Sequence, residues 1–179
     1  MKLDISEIMT HVGMRFPYEI DEPPMVDEDI ECAEPVKGKI IFTNTGNALI
    51  IEGKFSTEVV VACCRCLDYY QEPISVLIEE QFEMESRSVG PRGRYQQVVI
   101  EEDENPDSGK LFEGTLFDLS ELLRQGITLG LPSQPLHKPD CKGLCPQCGQ
   151  NRNEIDCGCK TDSAHPALAG LKSLLTEIE

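Results

Sequence analysis

The chain has 179 residues, with 16 Lys or Arg against 32 Asp or Glu, giving a formal net charge of −16. That balance repels nucleic acid and anionic membrane alike, so any RNA contact needs a local basic patch or a partner protein. Hydrophobic residues make up 40% but aromatic ones only 6%, with no Trp, so a core must be built from Ile, Leu and Val.

The length suits one domain of ordinary size with a small appendage. No run of about 18 apolar residues occurs, and no membrane-spanning helix is expected. The start, Met1-Lys2-Leu3-Asp4-Ile5-Ser6-Glu7, meets acids at once and is unlike a secretory leader, so a cytoplasmic location is expected. In a reducing compartment nine cysteines, an odd count, argue for metal binding or redox chemistry rather than a disulfide framework.

In chain order, Ile5, Ile8, Met9 and Val12 predict a short helix, with Asp4 or Ser6 as its cap. Residues 16–20 alternate like a strand. Residues 21–31, acidic and carrying Pro23-Pro24, read as a loop. The clearest β region spans 36–85. Val36 to Thr43 is rich in β-branched residues and ends in the turn Asn44-Thr45-Gly46-Asn47. Strands follow over 48–55, over 58–63 (apolar, hence central) and over 71–85, the last broken at Pro73. Short connections predict an antiparallel meander.

Residues 86–110 change character, with three Arg followed by five acids. They read as a solvated, mobile insertion holding a small strand over 97–100, with an RNA-touching Arg stretch as the alternative. Asp118 then caps a helix, with Glu121 completing a capping box and Leu119, Leu122 and Leu123 forming its apolar stripe. Gly126, Gly130 and Pro132 are expected to close it or its continuation. Leu168, Leu171, Leu174, Leu175 and Ile178 predict a terminal helix. The expected fold is α+β, an antiparallel sheet flanked by a few helices. Residues 1–135 form its β-rich part, and residues 136–179 form a cysteine-rich, metal-binding segment with the terminal helix packed on it.

The densest chemistry lies between Leu136 and Lys160. Cys145-Pro146-Gln147-Cys148-Gly149 is a knuckle that presents two thiolates from one tight turn, and soft thiolates in tetrahedral array suit Zn²⁺. Cys157 and Cys159 can supply the other two ligands. Cys141 could replace one of them, so the expected ligands are four of Cys141, Cys145, Cys148, Cys157 and Cys159. His137, Cys63 and Cys66 are secondary candidates, and an iron–sulfur cluster is the alternative metal. In Cys63-Cys64-Arg65-Cys66 three readings compete: thiols packed inward, ligands for the C-terminal site or a second metal, and a redox pair. Cys32 reads as a small buried or loop residue.

The chain resembles the YceD family, linked to accumulation of large-subunit ribosomal RNA. The residues that carry the resemblance are Cys63-x-Arg65-Cys66-Leu67, Leu129-Gly130-Leu131-Pro132 and Pro135-Leu136-His137. They continue through Asp140-Cys141-Lys142-Gly143-Leu144-Cys145-Pro146-Gln147-Cys148-Gly149, then Asn151, Asn153 and Cys157-Gly158-Cys159. The resemblance implies a non-enzymatic accessory role in large-subunit biogenesis. Position 137, often Cys in that family, is His here, and both types bind zinc.

Lys138, Lys142, Arg152 and Lys160 surround the cysteines but are offset by Asp140, Glu154 and Asp156, which weakens any direct grip on phosphate. A basic ribosomal protein or a large-subunit precursor particle is therefore the expected partner, with weak direct RNA contact second. A zinc-bound thiol switch or regulatory adaptor is the alternative function. An enzyme is not expected, since His11, His137 and His165 are scattered and no convergent acid–base set is present.

Overall fold

Alternating apolar residues build one antiparallel meander in the computed structural model, which describes residues 1–27, 30–89, 94–99 and 110–159. A short strand, β1 (Lys2–Asp4), and a helix of little more than one turn, α1 (Ser6–Thr10), precede it. The meander is β2 (Arg15–Glu22), β3 (Val36–Asn44), β4 (Ala48–Ala62), β5 (Tyr69–Val89) and β6 (Arg94–Val99), each antiparallel to the next. Then β7 (Phe112–Glu113) and β8 (Leu116–Asp118) form a tight hairpin whose second strand also pairs with β1. Last comes α2 (Leu119–Gly130). The fold is α+β.

Side chains two apart on a strand share a face. Ile40 and Phe42 of β3, Leu49, Ile51, Phe55 and Val59 of β4, and Ile74 and Ile78 of β5 are accordingly buried together. Lys37, Lys39, Glu52 and Lys54 look outward. The small sheet and both helices cover the apolar face. Phe117 of β8 meets Phe42 edge-on, with ring centroids 5.2 Å apart. Asn44, fully buried, donates from Nδ2 to the carbonyls of Ile8 (2.8 Å) and Met9 (3.1 Å), so β3 satisfies the end of α1. That helix begins after Ile5 without a side-chain cap, and the Asp4 carboxylate accepts from the Ser6 amide at 2.9 Å.

Several expectations need correction. The two strands expected over 48–55 and 58–63 are one, β4. The polar stretch Ser56-Thr57-Glu58 does not break it, because the inward Thr57 donates its hydroxyl to the Glu34 carbonyl at 2.8 Å. Nor does Pro73 break β5. It pairs opposite Glu58 of β4, while β6 joins β5 only from Met84 onward, so the missing N–H is lost from an open edge. The strand expected over 97–100 is β6, which begins at Arg94 and pairs with Met84–Val89; Ile100 lies outside the described residues.

The Asp118 cap is as expected, accepting from the Glu121 amide at 3.3 Å. However, α2 does not close at Gly126. A Cβ there would stand 2.9 Å from the Phe55 ring, and one at Gly130 would stand 2.9 Å from Val76. The glycines let the helix lie directly on β4 and β5. The terminal helix expected over 167–178 lies outside the described residues. Among them, no helix is long and apolar enough to cross a membrane.

Candidate metal centres

Both CxxC sequences fold into the same turn. In the first, the Cys63 amide donates to the Asp68 carbonyl and the Leu67 amide to the Cys63 carbonyl, each at 2.9 Å. In the second, the Cys145 amide donates to the Gln150 carbonyl and the Gly149 amide to the Cys145 carbonyl, each at 2.8 Å. Each turn then needs a left-handed residue directly after its second cysteine: Leu67 at φ 63° and Gly149 at φ 72°. Glycine takes this conformation freely, whereas leucine pays about 1–2 kcal/mol. The first turn is imposed on Leu67 by the strands it joins, β4 and β5.

Around these turns the ligand-type side chains gather into two groups, each with its donor atoms within 4.8 Å of one another. The inner group is Cys63, Cys66, His137 and Cys141; the outer is Cys145, Cys148, Cys157 and Cys159. In the inner group Cys63 Sγ lies 3.8 Å from Cys141 Sγ, and Cys66 Sγ lies 3.3 Å from His137 Nδ1. Its three cysteines are buried, with Tyr70, Leu136 and Leu144 packed against them. The outer group is more open: Cys145 is buried, Cys157 and Cys159 are half-buried and Cys148 is exposed. Gly158, at φ 62°, lets Cys157 and Cys159 turn towards the same point.

A short network joins the groups. The Leu144 amide donates to the Arg65 carbonyl (2.9 Å), and Arg65 Nη1 donates to the Cys141 carbonyl (3.0 Å). Asn151 Nδ2 donates to Asp68 Oδ2 at 2.9 Å. Asn153 Nδ2 donates to Asn151 Oδ1 at 2.8 Å and reaches Cys141 Sγ at 3.4 Å. Gly143, at φ 71°, sits so close that a Cβ would lie 2.9 Å from the Arg65 carbonyl oxygen.

Crowding splits the thiols within each group. Burial works to raise Cys63, but the Cys66 backbone amide and the His137 ring outweigh it and hold the thiol down at about 5. Burial pushes Cys66 up to about 12. The Cys148 and Gln147 amides hold Cys145 at about 6, while neighbouring Cys157 and Cys148 push Cys159 up to about 12. Several thiolates this close repel one another, and a shared cation removes that repulsion. The distances also fit one ion per group. A tetrahedral ion with bonds of about 2.3 Å to sulfur separates its sulfurs by about 3.8 Å. A cluster of several metals would hold its thiolates farther apart.

Of the five cysteines expected from the sequence, the structure brings Cys145, Cys148, Cys157 and Cys159 together. It places Cys141 with the secondary candidates Cys63, Cys66 and His137. Cys32 is buried beside Val59, apart from both groups. Lys142, Arg152, Glu154 and Asp156 line one shallow hollow of about 160 Å³, their charges of mixed sign; Lys160 and His165 lie outside the described residues. Of the tie residues, Asp68 and Gly143 carry no chemical role in the sequence reading and Arg65 only that of favouring a thiolate beside it; the Asn151-x-Asn153 spacing is the one visible sign of a side-chain network.

The family model described as "Large ribosomal RNA subunit accumulation protein YceD" matches residues 51–175. An uncharacterized protein of Mycobacterium tuberculosis (strain H37Rv) is 28% identical over 130 residues, covering 73% of this chain and 53% of its own length. An uncharacterized protein of Mycobacterium leprae is 25% identical over 146 residues, covering 82% and 62% respectively. The chain thus spans little more than half the length of the curated relatives it matches. No solved structure matches it.

Proposed function

The chain belongs to the YceD family, and from that premise we propose that it is a non-enzymatic accessory factor in biogenesis of the large ribosomal subunit. In this reading it acts in the cytoplasm and supports accumulation of large-subunit ribosomal RNA. The observation that carries the reading is the family match over residues 51–175, which takes in the sheet hairpin and both cysteine groups.

Zinc is the proposed ion, because thiolate and imidazole donors in compact sets of four suit a tetrahedral ion without redox chemistry. With all four positions filled by protein, such an ion scaffolds a surface rather than activating a water. The proposed partner is a basic ribosomal protein or the precursor particle. The net charge of −16 favours a basic surface. On the outer face of the sheet exposed Glu52 stands directly across from Glu79, a like-charge pair costing a few tenths of a kcal/mol in isolation, although Lys37, Lys39 and Lys54 share that face. Direct RNA contact comes second, since the bases near the cysteines are offset by acids. A thiol switch is less well supported, because Cys63 and Cys66 are committed to a buried group of four.

The test is depletion in cells followed by gradient analysis. Large-subunit ribosomal RNA should fall relative to small-subunit RNA, and the protein should co-sediment with large-subunit precursors. An unchanged ratio would refute the reading.

A further inference from the structure

We propose that the chain holds two zinc ions at once, and that the inner ion, at Cys63, Cys66, His137 and Cys141, is the clamp that seats the cysteine-rich segment on the tip of the β4–β5 hairpin. This rests on the zinc reading above and adds to it a stoichiometry and a division of labour.

The two ligand sets share no residue, and each is complete on its own. One ion serves only one set, and either set left without an ion keeps crowded thiols. The repeated turn supports the same count, since residues 63–68 and 145–150 present their paired sulfurs through the same pattern of backbone hydrogen bonds.

The ligands also divide by where they come from. All four outer ligands lie within residues 145–159, so an ion there folds the segment on itself. The inner set takes two ligands from the hairpin and two from the segment, 71 and 78 positions apart in the measured pairs. Apart from that ion, the junction rests on a few single hydrogen bonds and a small apolar patch. Among the described residues the bonds include Cys64 amide to Pro135 carbonyl (2.8 Å), Leu144 amide to Arg65 carbonyl (2.9 Å), Arg65 to the Cys141 carbonyl (3.0 Å), Asn151 to Asp68 (2.9 Å) and one from the Leu136 backbone to Tyr70, whose ring also meets His137 edge-on at 6.5 Å. The apolar patch is Tyr70, Leu136 and Leu144.

Charge follows burial in the same sense. Three thiolates, a neutral imidazole and Zn²⁺ sum to about −1, and four thiolates with Zn²⁺ to about −2. The smaller charge falls in the buried inner group and the larger in the open outer one, where water solvates it. As zinc enters, each coordinating thiol that is still protonated releases its proton to solvent and His137 binds as the neutral ring.

The experiment is elemental analysis of the full chain purified without added metal, on wild type and on His137→Ala, Cys66→Ser and Cys157→Ser. Wild type should carry two zinc ions per chain and each variant one. Limited trypsin digestion separates the roles. The inner variants should be cut after Arg65 and Lys142, while Cys157→Ser should be cut after Arg152 with Arg65 still protected. If a variant fails to fold, wild-type protein reloaded with cobalt still decides, since two steps of thiolate-to-cobalt absorption are expected. The conservative His137→Cys should keep both ions and raise that absorption by about one-seventh, from seven thiolates to eight. One zinc per wild-type chain, no zinc, iron in its place, or Arg65 equally protected in inner variants and wild type would overturn the proposal. Metal content is read without ribosomes, so neither this proposal nor the biogenesis reading falls with the other.

Discussion

Gly143 and Gly149 share a backbone conformation, with φ of 71° and 72°, yet only Gly143 is crowded. An alanine in the left-handed region costs about 1–2 kcal/mol at either position. At Gly149 nothing lies within 4 Å of the added Cβ, so the cost ends there. At Gly143 the Cβ would stand 2.9 Å from the Arg65 carbonyl oxygen and 3.2 Å from Arg65 Cβ. The turn must back away, weakening Leu144 amide to Arg65 carbonyl and Arg152 amide to Gly143 carbonyl, both 2.9 Å. At about 1 kcal/mol net for each, Gly143→Ala should cost about 2 kcal/mol more than Gly149→Ala. For a chain of this size that is a further fall of about 4–8 °C in Tm. Far-UV circular dichroism melts in zinc-replete buffer read the gap, with Gly158→Ala (φ 62°, nothing within 4 Å) as a second control. Equal Tm shifts in all three variants would refute the idea that the segment bears on the hairpin through Gly143.

Asn44→Leu should cost about 3 kcal/mol in urea unfolding, because the Ile8 and Met9 carbonyls lose their donor while buried; a loss below about 1 kcal/mol would mean that water reaches the end of α1. Gly126→Leu should destabilise by about 1–2 kcal/mol, the overpacking against Phe55 and Val76 exceeding the gain in helix propensity. A more stable variant would show that α2 is free to lift off the sheet. The Glu121 carboxyl is held below its ordinary value, chiefly by the hydrogen-bonded Arg124 guanidinium. A depressed carboxyl lends stability above its unfolded pKa of about 4.3 and loses it as the pH falls through the folded value. Glu121→Gln should therefore be less stable than wild type at pH 7, with the gap closing as the pH falls from the unfolded pKa through the lowered folded one; a gap constant across that range would assign the effect to packing.

The local signals were plain in the sequence. Asn44-Thr45-Gly46-Asn47 announced the β3–β4 turn, and Asp118 with Glu121 announced the start of α2. What was hidden depends on distant partners. Thr57 looked like a strand break until the Glu34 carbonyl, 23 positions earlier, took its hydroxyl. Gly126 looked like a helix end until Phe55 of β4 lay beneath it. Cys141 stands four residues from the outer knuckle, so nearness along the chain grouped it there. Its neighbour in space is Cys63, and nothing in the spacing of one sequence reports a contact across 78 positions.

That separation also sets a timetable for the protein's own synthesis. A chain emerges at about 5–20 residues per second, so His137, 71 positions after Cys66, arrives about 4–14 s after the first knuckle is made. Throughout that interval Cys63 and Cys66 form half a site. The outer ligands, all within residues 145–159, appear in about 1–3 s. On the two-ion proposal, zinc scarcity or an oxidising pulse would strike nascent chains at the hairpin first, where Cys63 and Cys66 wait longest for their partner ligands.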